Sequence, residues 1–154
     1  MAGAAPVWPA VVVGTDGSER ASGAVEHAAR LAAATRAQLW VVVAYRRKPS
    51  QPGVTGVDRV PDDVSWMVTD RGDAEGVAAR AAAVASAAGA PDVHHCAGEG
   101  DPAEVLLEVA GRHPGSLVVV GSKGMTGAGR FVLGSVPNNL SHHAAGDVLI
   151  VHTG

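Results

Sequence analysis

Cysteine is nearly absent: Cys96 is the single thiol in 154 residues, so no disulfide can form within the chain. That usage fits a reducing compartment. No apolar run approaches the about 18–20 residues of a membrane span. The opening MAGAAPVWPA has neither the charged region nor the apolar core of a signal peptide. The expectation from these absences is a cytoplasmic protein with no membrane partner. Basic residues are also few and scattered. The formal net charge is −3 and no long basic stripe is present, which disfavours nucleic acid as a partner.

Apolar residues make up 47% and charged residues 18%, a balance that suits a compact α/β protein and argues against disorder. The length suits one domain over residues 1–154, large enough for a core without staples. Much of the apolar content is alanine, so the helices should pack closely and contribute little area each.

Read in order, Ala10 to Val13 is a short buried strand ending in Gly14-Thr15-Asp16-Gly17-Ser18, a tight turn. Asp16 or Ser18 can cap the following helix, and Asp16-x-x-Glu19 has the shape of a capping box. From Glu19 to Thr35, Ala21, Val25, Ala28, Leu31 and Ala32 form a helical apolar stripe. Leu39 to Ala44 reads as a second buried strand. Residues 46 to 71 break the pattern with a basic run, Arg46-Arg47-Lys48, and repeated proline and glycine. They read as a mobile loop or lid, with a half-turn near Val64 to Met67 that could dock Trp66. Gly72 to Ala88 is an alanine-rich helix closed by Gly89. Val93 to Ala97 is a third strand, and Asp101-Pro102-Ala103-Glu104 opens a helix with an N-cap, a proline in the first turn and an acidic residue after it. That helix turns Val105, Leu106 and Val109 inward. Alternating strands and helices predict a parallel sheet covered on both faces.

The most informative stretch comes last. Leu117 to Val120 is a continuous apolar run, followed by the spacing Gly121-x2-Gly124-x9-Gly134-Ser135 and then the strand Val148 to Val151. Glycines let backbone N–H groups approach a ligand that side chains would hold off. A helix starting at Ser135 points its unpaired N–H groups and positive dipole end into the same space. Together they make a phosphate cradle. It is neither a Walker A loop nor a G-x-G-x-x-G. With the opening VVVGTDGSE and the order of elements, this spacing resembles the universal stress protein family, whose ATP-binding members carry G-x2-G-x9-G-[ST]. The resemblance spans nearly the whole chain apart from residues 46 to 71.

What the resemblance implies is an open five-stranded parallel sheet of order 3-2-1-4-5, Rossmann-like, that binds an adenine nucleotide at its switch point. Thr15 and Asp16 would meet the adenine or ribose, the backbone of Ala44 the adenine edge, and Val120 the nucleoside. Gly121, Ser122, Lys123 and Gly124 would wrap ribose and phosphates, and Gly134, Ser135 and Val136 would hold phosphate oxygens. Lys123 and Arg130 are the cations in that loop, each able to neutralise phosphate or to stay solvated. The implied ligand is ATP, with or without Mg²⁺. Pro137 stands where ATP-binding relatives often have Ser or Thr, and it removes a hydroxyl and an N–H from the phosphate end. GSVPNN, SHHA and DVLIVHT look closest to the small actinobacterial branch, some members of which bind cyclic AMP. One phosphate needs fewer donors than three, so cyclic AMP is the alternative. The family also implies a homodimer through Val148 to Val151, an apolar strand placed at a sheet edge.

Catalysis finds little support. Ser135 lacks a nucleophile elbow, and no paired carboxylates or positioned base lie near the loop. His94-His95-Cys96 alternates across a strand and shows no third ligand at standard spacing, so no metal site and no catalytic residue are assigned. The leading reading is a nucleotide-binding regulatory module. Slow ATP hydrolysis and a nucleotide-free scaffold are the readings from other classes.

Overall fold

In the computed structural model the described residues are 5–46, 70–122 and 135–152. Strands and helices alternate along them: β1 (Ala10–Gly14), α1 (Glu19–Thr35), β2 (Gln38–Tyr45), α2 (Arg71–Ala87), β3 (Val93–Glu99), α3 (Pro102–Gly111), β4 (Leu117–Gly121), α4 (Ser135–His143) and β5 (Asp147–Val151). All pairings are parallel, and the five strands lie in the order β3-β2-β1-β4-β5. The expected order is therefore observed. β1 pairs with β2 on one side and β4 on the other, so the order reverses there and the carboxyl ends diverge.

Residue alternation distributes the core between two faces. Val11 and Val13 of β1 and Leu117 and Val119 of β4 join Ala24, Val25, Ala28 and Ala32 of α1 and Ala82 and Ala85 of α2. Val12, Val118 and Val120 point the other way, into a cluster with Leu106 and Val109 of α3 and Val136 and Leu140 of α4. β1 and β4 are buried throughout, which explains their unbroken apolar runs. The edge strands β3 and β5 are only partly covered. Each alanine methyl offers only about 0.8 kcal/mol on burial, so α1 and α2 depend on close approach over their whole length. Glycine gives α3 the same proximity: a Cβ on Gly98 would stand 2.5 Å from Val105 Cγ1.

Local chemistry sets the helix starts, with one departure from expectation. Asp101 caps α3, accepting from the N–H groups of Ala103 at 3.1 Å and Glu104 at 3.3 Å. Asp70 caps α2, accepting from Gly72 N–H at 2.7 Å. In α1 the Asp16–Glu19 capping box does not form. Gly17, at φ +83°, turns the chain, which leaves Ser18 as the extended N-cap residue, accepting from Ala21 N–H at 3.2 Å. Asp16 Oδ1 instead accepts from Ser18 N–H at 2.8 Å, a turn within the loop. Ala88 rather than Gly89 is the C-cap of α2, and Gly89 follows it at φ +109°. Leu31 is half-buried at the rim of the α1 stripe. β3 runs to Glu99, two residues past the expected end, because β2 pairs with it as far as Tyr45↔Glu99. The half-turn at Val64 to Met67 and the docking of Trp66 lie outside the described residues, as does most of the 46–71 loop.

Candidate functional site

The site is built where β1, β2 and β4 end. Thr15 prolongs the β1–β2 ladder by donating its N–H to Val42 O at 3.0 Å. Its hydroxyl oxygen accepts from Gly17 N–H at 3.1 Å, and the side chain is buried. Asp16 follows, half-buried, with one carboxylate oxygen holding the turn. Each therefore has a structural task, and the Asp16 carboxylate keeps a second oxygen whose lone pairs that task does not use.

Ala44, Val120 and Val136 come from β2, β4 and α4, yet all three belong to one apolar cluster on the α3–α4 side of the sheet. Gly121 ends β4 opposite Val151. Ser122 leaves the sheet as the chain turns, donating its N–H to Val151 O at 2.7 Å. Ser135 is the first residue of α4 and is exposed, while Val136 and Pro137 behind it are buried. Pro137 thus occupies the first turn, where its missing N–H breaks no helical hydrogen bond. The remaining N–H groups of that turn carry the helix's positive end. Lys123, Gly124, Arg130 and Gly134 lie outside the described residues.

The structure thus brings together the carboxyl ends of three neighbouring strands, a polar turn with one carboxylate, an apolar wall and a helix N-terminus. Such a place suits a ligand with a flat apolar body and an anionic end. Gly17 and Ser18 adjoin Thr15 and Asp16 in this turn. The Gly-Thr-Asp-Gly-Ser run marked the turn, but only the fold shows that Ser18 faces the neighbouring helix.

Two of the histidines pack on the Trp40 ring, away from this site. His94 stacks on Trp40 with ring centroids 4.7 Å apart, and His113 tilts against the same indole at 5.1 Å. His94 Nε2 lies 2.9 Å from Asp92 Oδ1 but out of line for a hydrogen bond. That spacing makes an ion pair only when the imidazole is protonated. Burial pushes the Cys96 thiol up, with Arg112 opposing and Glu108 adding weakly. Among the described residues no group of three or more His, Cys, Asp or Glu side chains is placed to hold a metal. Nor is any described helix long and apolar enough to cross a membrane.

An open, doubly wound parallel sheet whose strand order reverses between β1 and β4 defines the Rossmann-like class of α/β protein. The sequence profile of the Universal stress protein family matches residues 9–152, and the chain belongs to that family. It is 37% identical over 146 residues to universal stress protein Rv1636 of Mycobacterium tuberculosis (strain H37Rv), covering 95% of this chain and 97% of the relative. Among solved structures it is similar to a universal stress protein in complex with cAMP, at 33% identity and a TM-score of 0.71, covering 96% and 98% of the two chains. The universal stress protein UspA from Lactobacillus plantarum shares the fold at 20% identity and a TM-score of 0.72, covering 94% and 97%.

Proposed function

We propose that this protein binds an adenine nucleotide across the carboxyl ends of β1, β2 and β4 and acts as a regulatory binding module. The observation that carries the reading is the convergence of Ala44, Val120 and Val136 on one side of the β1 switch point, beside the first turn of α4. In this reading Thr15 and Asp16 meet the base or ribose, and Ala44 and Val120 line the nucleoside. Gly121, Ser122, Ser135 and Val136 face the phosphates, with Lys123, Gly124, Arg130 and Gly134 of the same loop completing the cradle. ATP is the ligand to which the Gly121-x2-Gly124-x9-Gly134-Ser135 spacing points.

A second reading, cyclic AMP, is favoured by two specific observations. Pro137 subtracts a donor from the first turn of α4, and the 33% identical relative was solved with cAMP. Calorimetric titration of nucleotide-free protein with ATP, with ATP and Mg²⁺, and with cyclic AMP tests both readings. Tighter, Mg²⁺-dependent ATP binding supports a seated polyphosphate, and tighter cyclic AMP binding supports the shortened pocket. No heat with either ligand, in protein that melts cooperatively, refutes the nucleotide reading. A homodimer joined through β5 in the cytoplasm completes the proposal. Its support is the half-covered apolar edge Val148, Leu149, Ile150 and Val151.

A further inference from the structure

On the opposite side of the β1 carboxyl end lies a second opening, a cleft of about 330 Å³ between α1 and α2. It shares Thr15 and Asp16 with the site above and otherwise has its own walls. Alternation explains the division. Val11 and Val13 point toward α1 and α2, and Thr15 continues that side, whereas Ala44, Val120 and Val136 lie on the other. The volume falls within the range of small-molecule pockets, about 300–1,000 Å³.

The cleft is chemically two-sided. Val25 of α1 and Val77, Ala81 and Val84 of α2 form its apolar part. Val84 is one of the exposed large apolar side chains among the described residues, at 43% exposure. The polar part is Ser18, Ser22, Asp16 and Arg80. Arg80 is exposed, and its guanidinium lies back along α2, with Nη1 3.3 Å from where a Cβ on Gly76 would stand. It makes no hydrogen bond or ion pair with another described residue. The turn amides are already engaged: Gly17 N–H with Thr15, Ser18 N–H with Asp16 and Ala21 N–H with Ser18. Ser22 spends its hydroxyl proton on Glu19 O at 2.6 Å, so its oxygen can only accept. Ser18 Oγ accepts from Ala21 and keeps its proton to donate. The side-chain donors left for an anion are thus Arg80, with five N–H groups, and the Ser18 hydroxyl. Asp16 on the same rim sets a limit, since it repels a second negative charge. One charged end, seated at Arg80 on the α2 side, satisfies both.

We propose that the α1–α2 cleft binds a small amphipathic monoanion, an aliphatic body on Val25, Val77 and Val84 with its carboxylate at Arg80. The site shares Thr15 and Asp16 with the nucleotide site but seats its ligand on walls of its own, Val25, Val77 and Val84 with Arg80. The test is titration of nucleotide-free ¹⁵N-labelled protein with sodium octanoate, and in parallel with octanol and octylammonium, which share the body and change the head. Octanoate is expected to give saturable shifts at the amides of Ser18, Ser22 and Ala81 and to bind more tightly than either control. Arg80→Gln should weaken octanoate about tenfold, the scale of one charge-assisted hydrogen bond, and remove its preference over octanol. Val84→Glu, which sets a carboxylate beside the apolar part, should also weaken it. Both positions are exposed, and an unchanged melting temperature certifies the fold of each variant. The proposal is overturned if octanoate gives no saturable shift, if octanol or octylammonium binds as tightly, or if Arg80→Gln binds octanoate like the parent. Nucleotide titrations on the same samples report separately, so failure of one site is not read as failure of the other.

Discussion

Two glycine-to-alanine substitutions should act with opposite sign, and the structure says why. At Gly98 on β3 the added Cβ would stand 2.5 Å from Val105 Cγ1, 3.4 Å from Cγ2 and 3.5 Å from Cβ. Val105 is buried, and a valine on a helix has essentially one rotamer. The clash therefore has to be absorbed by shifting α3 against the sheet. Overpacking of this kind costs about 1–3 kcal/mol. The accompanying loss of unfolded-chain freedom returns about 0.4–1 kcal/mol, so the net effect is destabilising by roughly 1–2 kcal/mol. At Gly23 on α1 nothing lies within 4 Å of the added Cβ. Helix propensity then acts alone and should stabilise by about 0.8–1 kcal/mol. Urea unfolding followed by circular dichroism measures both, with an unchanged slope confirming that stability itself moved. In a chain of this size 1 kcal/mol corresponds to about 2–4 °C in Tm. Val105→Ala provides the internal check. Alone it removes two buried methyl groups, about 1.6 kcal/mol plus a cavity. Combined with Gly98→Ala it should cost clearly less than the sum, because the clash and the cavity cancel. Additive costs, or a neutral Gly98→Ala, would refute the claim that glycine is what lets α3 sit so close.

Other outcomes follow from the edges of the sheet and from the single thiol. The proposed β5 homodimer requires that the parent sediment as a dimer and that Val148→Lys, a charge on the β5 edge, sediment as a monomer while retaining its circular dichroism; a monomeric parent, or a dimer that persists in the variant, removes β5 as the interface. Burial holds the Cys96 thiol above its ordinary value of 9.0, chiefly by desolvation. The folded state therefore disfavours the thiolate, and any stability linked to this group is intact below pH 9 and declines as pH rises through the folded value. Ellman's reagent at pH 8 should accordingly react more slowly with native protein than with protein in urea, and equal rates would contradict that burial.

The sequence by itself determined the kind and order of the elements, because that information is local. The period-3.6 stripe of α1, Asp101-Pro102 at the start of α3 and the unbroken valine runs of β1 and β4 each record a nearby physical demand. The glycine spacing from Gly121 to Ser135 pointed to the family for the same reason, since a backbone cradle is written in consecutive residues. Tertiary structure decided what depends on neighbours far along the chain. The last residues of β3 became strand because β2, far back in the chain, offered a ladder to Glu99. The meeting of Ala44, Val120 and Val136 in one cluster is set by the crossover from β3 through α3 that brings β4 beside β1, which no local pattern encodes. The α1–α2 cleft is still less legible. Arg80 and Val84 read as an ordinary helix surface until α1 is packed beside them, and only that packing sets a cation and an apolar wall across from Ser18.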